Sequence, residues 1–345
     1  MSEVVFAIPG DIDTLSGGYG YDRKLIEGLR AIGWTVTHLA LPDGFPLPDA
    51  STRRAAAEHL NALPDGTSIL IDGLAFSAMP EEMAELGQRT RLTALIHHPL
   101  GLETGLDEET STRLLADERA ALRHARHVIV TSPETARTLA ADFAVEPNRI
   151  TVAVPGTEPG PRATGGNHPP HIVTVASLIP RKGHDMLVAA LATLSDLNWR
   201  SSFVGSSTLD PAWAEKIRAM VAASGLEGRI AILDQRQDVR ALMADADIFC
   251  LPSRYEGYGM AFAEAMSQGL PIVGCRAGAV PDVVTPDAGI LVEPEDIPAL
   301  AAALRTMLTD EPLRRRYAEG AFASGRQLPG WNTTAGIVAG VLLTR

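Results

Sequence analysis

Two periodicities alternate along the whole chain. Short apolar runs rich in β-branched residues occupy positions 4–8, 35–41, 68–72, 92–97, 127–131 and 150–154. A second series follows at 171–177, 201–205, 229–233, 247–252, 271–274 and 289–292. Between them, apolar positions recur every three to four residues, as in 22–32, 110–125, 185–194 and 211–223. Continuous apolar strands separated by amphipathic helices predict a parallel sheet covered on both faces. Six strands and then six more predict an α/β protein of two Rossmann-like, doubly wound domains facing a cleft.

The boundary is legible as a change of texture. Residues 155–171, PGTEPGPRATGGNHPPH, are rich in proline and glycine, lack periodicity, and read as an interdomain linker. The expected domains are therefore 1–160 and 168–328. Leu328-Pro329-Gly330 interrupts helical sequence near the end, and a terminal helix within 329–345 is expected to return to the first domain. Ser132-Pro133-Glu134 reads as a helix start, with a serine cap, a proline in the first turn and an acid near the positive end of the dipole.

Composition narrows the class. At 345 residues the chain exceeds what one core usually serves, and 46% hydrophobic with 21% charged residues is the balance of a globular protein. A formal net charge of −12 argues against nucleic acid as a partner and against docking on anionic lipid by bulk charge, although a local basic face would allow peripheral membrane contact. The longest apolar runs fall far short of the ~20 residues that span a bilayer. No basic region precedes the first apolar run, so a cytoplasmic location is expected. Cys250 and Cys275 sit inside strand-like runs and read as buried, reduced thiols.

Sheets of this kind bind ligands beyond the carboxyl ends of their strands, so strand-end loops are where chemistry is sought. The first such loop, PGDIDTLSGGYG (9–20), is not a dinucleotide fingerprint, because its glycines lie too far from the strand and Asp22 stands where the last glycine belongs. Gly17 and Gly18 before a helix offer an anion site, or serve packing alone. Asp11 and Asp13 could hold Mg²⁺ or Mn²⁺, or be solvated or meet an acceptor. Asp245 and Asp247 precede a strand and read as a helix-end feature. His97 and His98 end the fourth strand, and alternation puts them on opposite faces. No Cys or His spacing accompanies them to complete a zinc site. In VASLIPRKGHDML, Arg181 and Lys182 form either a phosphate site or a solvated basic turn.

The densest signal is SRYEGYGMAFAEAMSQGLP (253–271). Glu256 and Glu264 stand eight positions apart, and Gly257-Tyr258-Gly259 separates the first from a helix beginning near Met260 and Ala261. In a continuous helix that separation is ~12 Å, too far for two carboxylates to share a proton. It suits opposite ends of one extended ligand, with a diphosphate over the helix N-terminus between them. Two surface glutamates around a glycine turn are the bland alternative. Residues 277–284, AGAVPDVV, repeat the pattern of a small-residue loop opening a helix.

Taken together, PSRYEGYGMAFAEAMSQGLPIVGCRAGAVPDVV, the GG loop, the strand-end histidine, the KG turn and Trp331 before the last helix resemble the family 4 retaining glycosyltransferases of GT-B architecture. The resemblance spans the chain and is specific in the second half. It implies that Glu264 holds the nucleotide ribose. It further implies that Glu256 holds the donor sugar, with backbone N–H groups of Gly257, Tyr258, Gly259, Met260 and Ala261 beside the diphosphate. Lys182 neutralises that diphosphate, His97 sits beside the sugar, and Gly17 and Gly18 admit the phosphates. On this resemblance the catalytic group is His97, Glu256 and Lys182. The family often carries an arginine where Ser177 stands, and Arg181 is the candidate substitute.

The activity so implied is transfer of a hexosyl group from a UDP- or GDP-sugar to a hydroxyl of a small-molecule, glycan or lipid-linked acceptor. It proceeds by front-face attack, with no metal and no other cofactor. Closure about 155–171 and 328–330 would exclude water. A nucleotide-sugar 2-epimerase and a non-catalytic sugar-nucleotide-binding subunit are the competing readings.

Overall fold

The computed structural model describes residues 2–344. The chain divides into two compact units, Met1–Gly156 with Pro329–Arg345, and Thr157–Leu328. Of the expected terminal segments, Met1 and Arg345 lie outside the described residues.

The first unit is built on β1 (Glu3–Pro9), β2 (Thr35–Leu41), β3 (Ser68–Asp72), β4 (Arg91–Ile96), β5 (His127–Val130) and β6 (Ile150–Val152), all parallel, in the order β2-β1-β3-β4-β5-β6. Alternation along each strand feeds two cores. Ala7, Ile69, Ile71, Ala94, Ile96, Val128 and Val130 face one side. Phe6, Ile8, Leu70, Leu95 and Ile129 face the other, where the helices Gly17–Ala31 and Trp331–Leu343 cover them. Gly28 permits that helix pair to close, since a Cβ there would lie 2.8 Å from Ala335 Cβ. Thr334 Oγ1 donates to Val154 O at 2.8 Å and fixes the helix's first turn.

In the second unit β7 (His171–Val175), β8 (Arg200–Val204), β9 (Ile230–Leu233), β10 (Ile248–Leu251), β11 (Ile272–Cys275) and β12 (Gly289–Val292) are again parallel, in the order β12-β11-β10-β7-β8-β9. Each sheet is doubly wound, as the apolar pattern predicts. The winding reverses between β1 and β3 in one sheet and between β7 and β10 in the other. At such a switch point the two outgoing loops diverge and leave a crevice at the strand ends.

Two local features differ from the sequence reading. The first helix begins at Gly17 rather than near Asp22, because Ser16 caps it by accepting Tyr19 N–H at 3.3 Å. Gly17 and Gly18 are thus its first turn, and Asp22 lies within it. The stretch read as linker is fastened to the second unit from Thr157 onward. Ala163 N–H donates to Gln268 O at 2.7 Å, Gln268 Nε2 to Pro161 O at 2.8 Å, and Asn167 N–H to Asp247 Oδ1 at 3.1 Å. Isolated bonds of this kind leave no periodicity in the sequence. Cys250 and Cys275 are free and buried. Among the described residues no helix is long and apolar enough to cross a membrane.

Candidate active site

In the second unit the loops after β7, β10 and β11 converge on Glu256. Its carboxylate is buried and accepts from Lys182 Nζ at 2.7 Å and Ser253 Oγ at 2.6 Å, with Arg181 Nη1 3.7 Å away. Burial pushes this carboxyl up, but the Lys182 and Arg181 charges and the two hydrogen bonds outweigh it, holding Glu256 below its usual range. The main chains are stitched as well. Arg254 N–H donates to Arg181 O at 2.7 Å, and Arg181 Nη1 to Tyr255 O at 3.0 Å. Arg254 itself grips Asp185 through both carboxylate oxygens at 3.0 and 2.9 Å.

Two glycines allow this convergence. Gly183, with φ +69°, passes so close to β10's outgoing loop that a Cβ would meet Pro252 O at 2.0 Å. Gly278, with φ +55°, would place one 2.3 Å from Glu256 O, the oxygen that accepts Ala279 N–H at 2.9 Å.

Directly after Glu256 the chain enters the helix Met260–Ser267 through Gly259, whose φ of 98° is open to glycine at little cost. Phe262 and Ala263 already donate to Gly259 O at 3.0 and 3.3 Å. The N–H groups preceding them belong to the helix end that presents positive dipole. Tyr258 is buried and its phenol is pushed up to about 12, so it stays neutral. Glu264 lies on the second turn, half-buried. Burial raises its carboxyl above the usual range, Arg240 opposes this, and Glu158 adds to it. Glu256 is thus an ion-paired anchor and Glu264 a desolvated acceptor, two environments within one short segment.

In the first unit His97 follows β4, and its Nε2 lies 3.3 Å from Asp22 Oδ1 and 3.3 Å from Asp72 Oδ2. Burial lowers the imidazole, but the two carboxylates outweigh it and lift His97 to about 10. Burial, then Asp72, raise Asp22 to about 7 against the pull of His97. Gly18 borders the ring: a Cβ there would stand 3.6 Å from His97 Cδ2. His98 pairs separately with Glu103 at 3.0 Å. Asp11 Oδ1 accepts Asp13 N–H at 2.9 Å in an exposed turn. Asp247 Oδ2 accepts His171 N–H at 2.8 Å, so it fastens the chain entering β7 rather than ending a helix.

The sequence reading therefore named His97, Lys182, Arg181 and Glu256 but not the pairing of the two cations with Glu256, nor the side chains around them. Asp72, Asp22, Ser253, Arg254 and Asp185 were missed. For Asp72 a signal existed, since the apolar run Ile69-Leu70-Ile71 ends in aspartate and so places a carboxylate at the open end of the sheet.

Residues 163–323 match the family described as Glycosyl transferases group 1. The chain is 27% identical over 311 residues to an MMP alpha-(1->4)-mannosyltransferase of Mycolicibacterium hassiacum, covering 85% of this chain and 74% of that protein. It is 31% identical over 248 residues to a D-inositol 3-phosphate glycosyltransferase of Corynebacterium glutamicum, covering 66% of this chain and 59% of the relative. The chain is a glycosyltransferase of the GT-B fold. Sucrose-phosphate synthase from Thermosynechococcus elongatus shares that fold with a TM-score of 0.82 at 22% identity, over 99% of this chain and 98% of the other. So does HepE of Anabaena, solved with UDP and glucose, with a TM-score of 0.79 at 18% identity over 99% of both chains. The glycosyltransferase spans about three quarters of the first curated relative and under two thirds of the second. The matched segment contains the whole Glu256 site, including Lys182, Gly259 and Glu264.

Proposed function

We infer that this glycosyltransferase moves a hexosyl group from a UDP- or GDP-sugar to a hydroxyl acceptor with retention of anomeric configuration and without a metal. The observation that carries this reading is the cluster of Lys182 and Arg181 on Glu256, immediately before the N-terminus of the helix Met260–Ser267. Leaving-group departure builds negative charge on phosphate oxygens, and preorganised cations with helix-end N–H groups stabilise it where it forms. With the carboxylate of Glu256 engaged by both cations, the cluster is built for binding rather than for nucleophilic attack. Front-face attack, with the departing phosphate taking the acceptor's proton, is the mechanism that needs no further group. Arg181 supplies the second cation where Ser177 has none, and Glu264 takes the ribose hydroxyls.

The relatives named above as a mannosyltransferase and an inositol phosphate glycosyltransferase favour a polyol or sugar hydroxyl as acceptor. The first unit is assigned to that acceptor. A thermal-shift screen with UDP, GDP, ADP and their sugars identifies the donor, because a ligand bound only by the folded state raises the melting temperature. Glu264→Ala is expected to weaken the free nucleoside diphosphate about tenfold, the effect of losing roughly one charge-assisted hydrogen bond. Unchanged affinity would remove Glu264 from the ribose. The transfer rate is expected to survive EDTA, and a rate abolished by EDTA and restored by Mn²⁺ would defeat the metal-free mechanism. Conversion of the donor sugar to its epimer without acceptor would replace transfer by epimerisation.

A further inference from the structure

We propose that Arg254 is a positioning residue for transfer, fixing the turn that carries Arg181 and Lys182 and so the place of both charges on Glu256. The inference rests on the function proposed above, in which those charges meet the leaving phosphate, and Arg254 acts through them.

The turn Pro180–Lys182 has little of its own to hold it. It is three residues of 3₁₀ geometry between β7 and the helix His184–Ala192, closed by Lys182 N–H to Ile179 O at 3.1 Å and Gly183 N–H to Pro180 O at 3.2 Å. Arg254 reaches it from the loop after β10. Its main-chain N–H donates to Arg181 O at 2.7 Å, and its Nη1 donates to Pro180 O at 2.5 Å. Beyond Lys182, Nη1 and Nη2 grip the two carboxylate oxygens of Asp185 at 3.0 and 2.9 Å, in the first turn of the helix. The acceptors therefore bracket Lys182, with 180 and 181 before it and 185 after it. Ser253 and Glu256 stand on either side of Arg254 in sequence. One short segment thus holds both the carboxylate and the turn that brings the cations to it.

The guanidinium is committed to fixed acceptors. Besides Pro180 and Asp185, its Nε donates to Glu295 Oε1 at 2.6 Å, and Nη2 lies 3.5 Å from Glu295 Oε2. These contacts account for its five N–H groups, so Arg254 serves geometry and leaves the phosphate to Lys182 and Arg181. The Arg254 and Asp185 side chains are each only 18% exposed, which limits screening of the pair by water. Glu295, in the turn after β12, has φ +64°. A non-glycine residue keeps that left-handed conformation where its surroundings over-determine it. The loops after β7, β10 and β12 accordingly meet on one planar fork. A lysine at 254 would keep the charge but lose the fork, because an ammonium is a point donor on a flexible stem.

The test is a double-mutant cycle on the full chain. Initial rates are read as nucleoside diphosphate released from whichever UDP- or GDP-sugar raises the melting temperature most. Arg254→Lys is expected to lower kcat about 10- to 100-fold, since misplacing a charged group by about 1 Å can cost that much. In a Lys182→Ala background the same substitution should cost less than about twofold, because the group it positions is already gone. Arg305→Lys is the control. Arg305 forms an equally bidentate pair with Asp196 at 2.7 and 2.8 Å on the surface, and its variant should keep the parental rate. Circular dichroism reports whether each variant folds. Should Arg254→Lys fail to fold, Asp185→Asn replaces it in the same cycle. Parental kcat in Arg254→Lys, or a loss of tenfold or more that persists undiminished without Lys182, overturns the positioning role. The two failures are separable. A Lys182→Ala enzyme at parental rate defeats the proposed leaving-group chemistry, whereas an impaired Lys182→Ala enzyme on which Arg254→Lys multiplies defeats only this inference.

Discussion

Glu256 shows how three side chains divide two tasks. Burying a carboxylate costs several kcal/mol, and here Lys182, Arg181 and Ser253 offset that cost. The three do not offset it equally. With Lys182 removed, Glu256 keeps Ser253 at 2.6 Å and Arg181 at 3.7 Å, so the loop retains its anchor. With Glu256 removed, Lys182 and Arg181 lose the buried carboxylate that both engage. Lys182→Ala is therefore expected to lower kcat about 100- to 1000-fold, the usual effect of losing one transition-state electrostatic partner, with partial recovery in Lys182→Arg. Its melting temperature should fall less than that of Glu256→Ala. Initial rates and thermal melts of the three variants check this; a Lys182→Ala enzyme near parental rate would remove the ammonium from the chemistry. Both charges were legible in the sequence because they sit in strand-end loops, where charge has no structural excuse. Their contact was not, since residues 74 positions apart meet only once β7 and β10 are known to be neighbours. Asp22 and Asp72 escaped for the same reason. One looked like a misplaced residue in a glycine loop and the other like the end of a strand.

Among the elements, strands were more legible than helix starts. The apolar run 35–41 coincides with β2, whereas the first helix begins five residues before its apolar pattern does. A strand's limits are set by burial, which the pattern records; a helix's first turn is set by its cap, here Ser16, which the pattern does not. The helix Glu108–Leu122 carries a further feature that no pattern reveals. Its Glu118 is buried, accepting from Ser77 Oγ at 2.8 Å and Leu100 N–H at 3.1 Å, and so ties down the short turn Leu100–Leu102 that follows the histidines. Burial raises this carboxyl from 4.5 to about 7, only partly opposed by the two bonds. A folded-state value above the unfolded one means that protonation favours folding. The contribution is complete below about pH 4.5 and is lost as pH rises through about 7. Glu118→Gln should flatten this dependence, so that the stability difference between pH 5 and pH 8 shrinks relative to the parent. Chemical denaturation at the two pH values measures it, and parallel curves for parent and variant would refute the assignment.

At the scale of the chain, the last helix belongs to the unit that begins the sequence. Trp331–Leu343 places Ala335, Val338, Val341 and Leu342 in the same core as Phe6, Leu25 and Leu29. Val338, Val341 and Leu342 each contribute roughly 1.5–3 kcal/mol by burial. Their sum rivals the 5–15 kcal/mol that typically separates a folded domain from its unfolded chain. The second unit's principal core contains no residue of this helix. Two glycines show how closely the helix is seated: a Cβ on Gly28 would lie 2.8 Å from Ala335 Cβ, and one on Gly156 would lie 2.3 Å from Trp331 N. A chain ending at Leu328 is therefore expected to lose the first unit's fold while Thr157–Leu328 keeps its own. Limited proteolysis of the truncated chain should digest the N-terminal segment and leave a protected fragment of the second unit. That fragment should still bind nucleoside diphosphate, since Lys182, Glu256 and Glu264 all lie within it. Protection of residues 2–156 in the truncated chain would show that the first unit's sheet stands without its final helix.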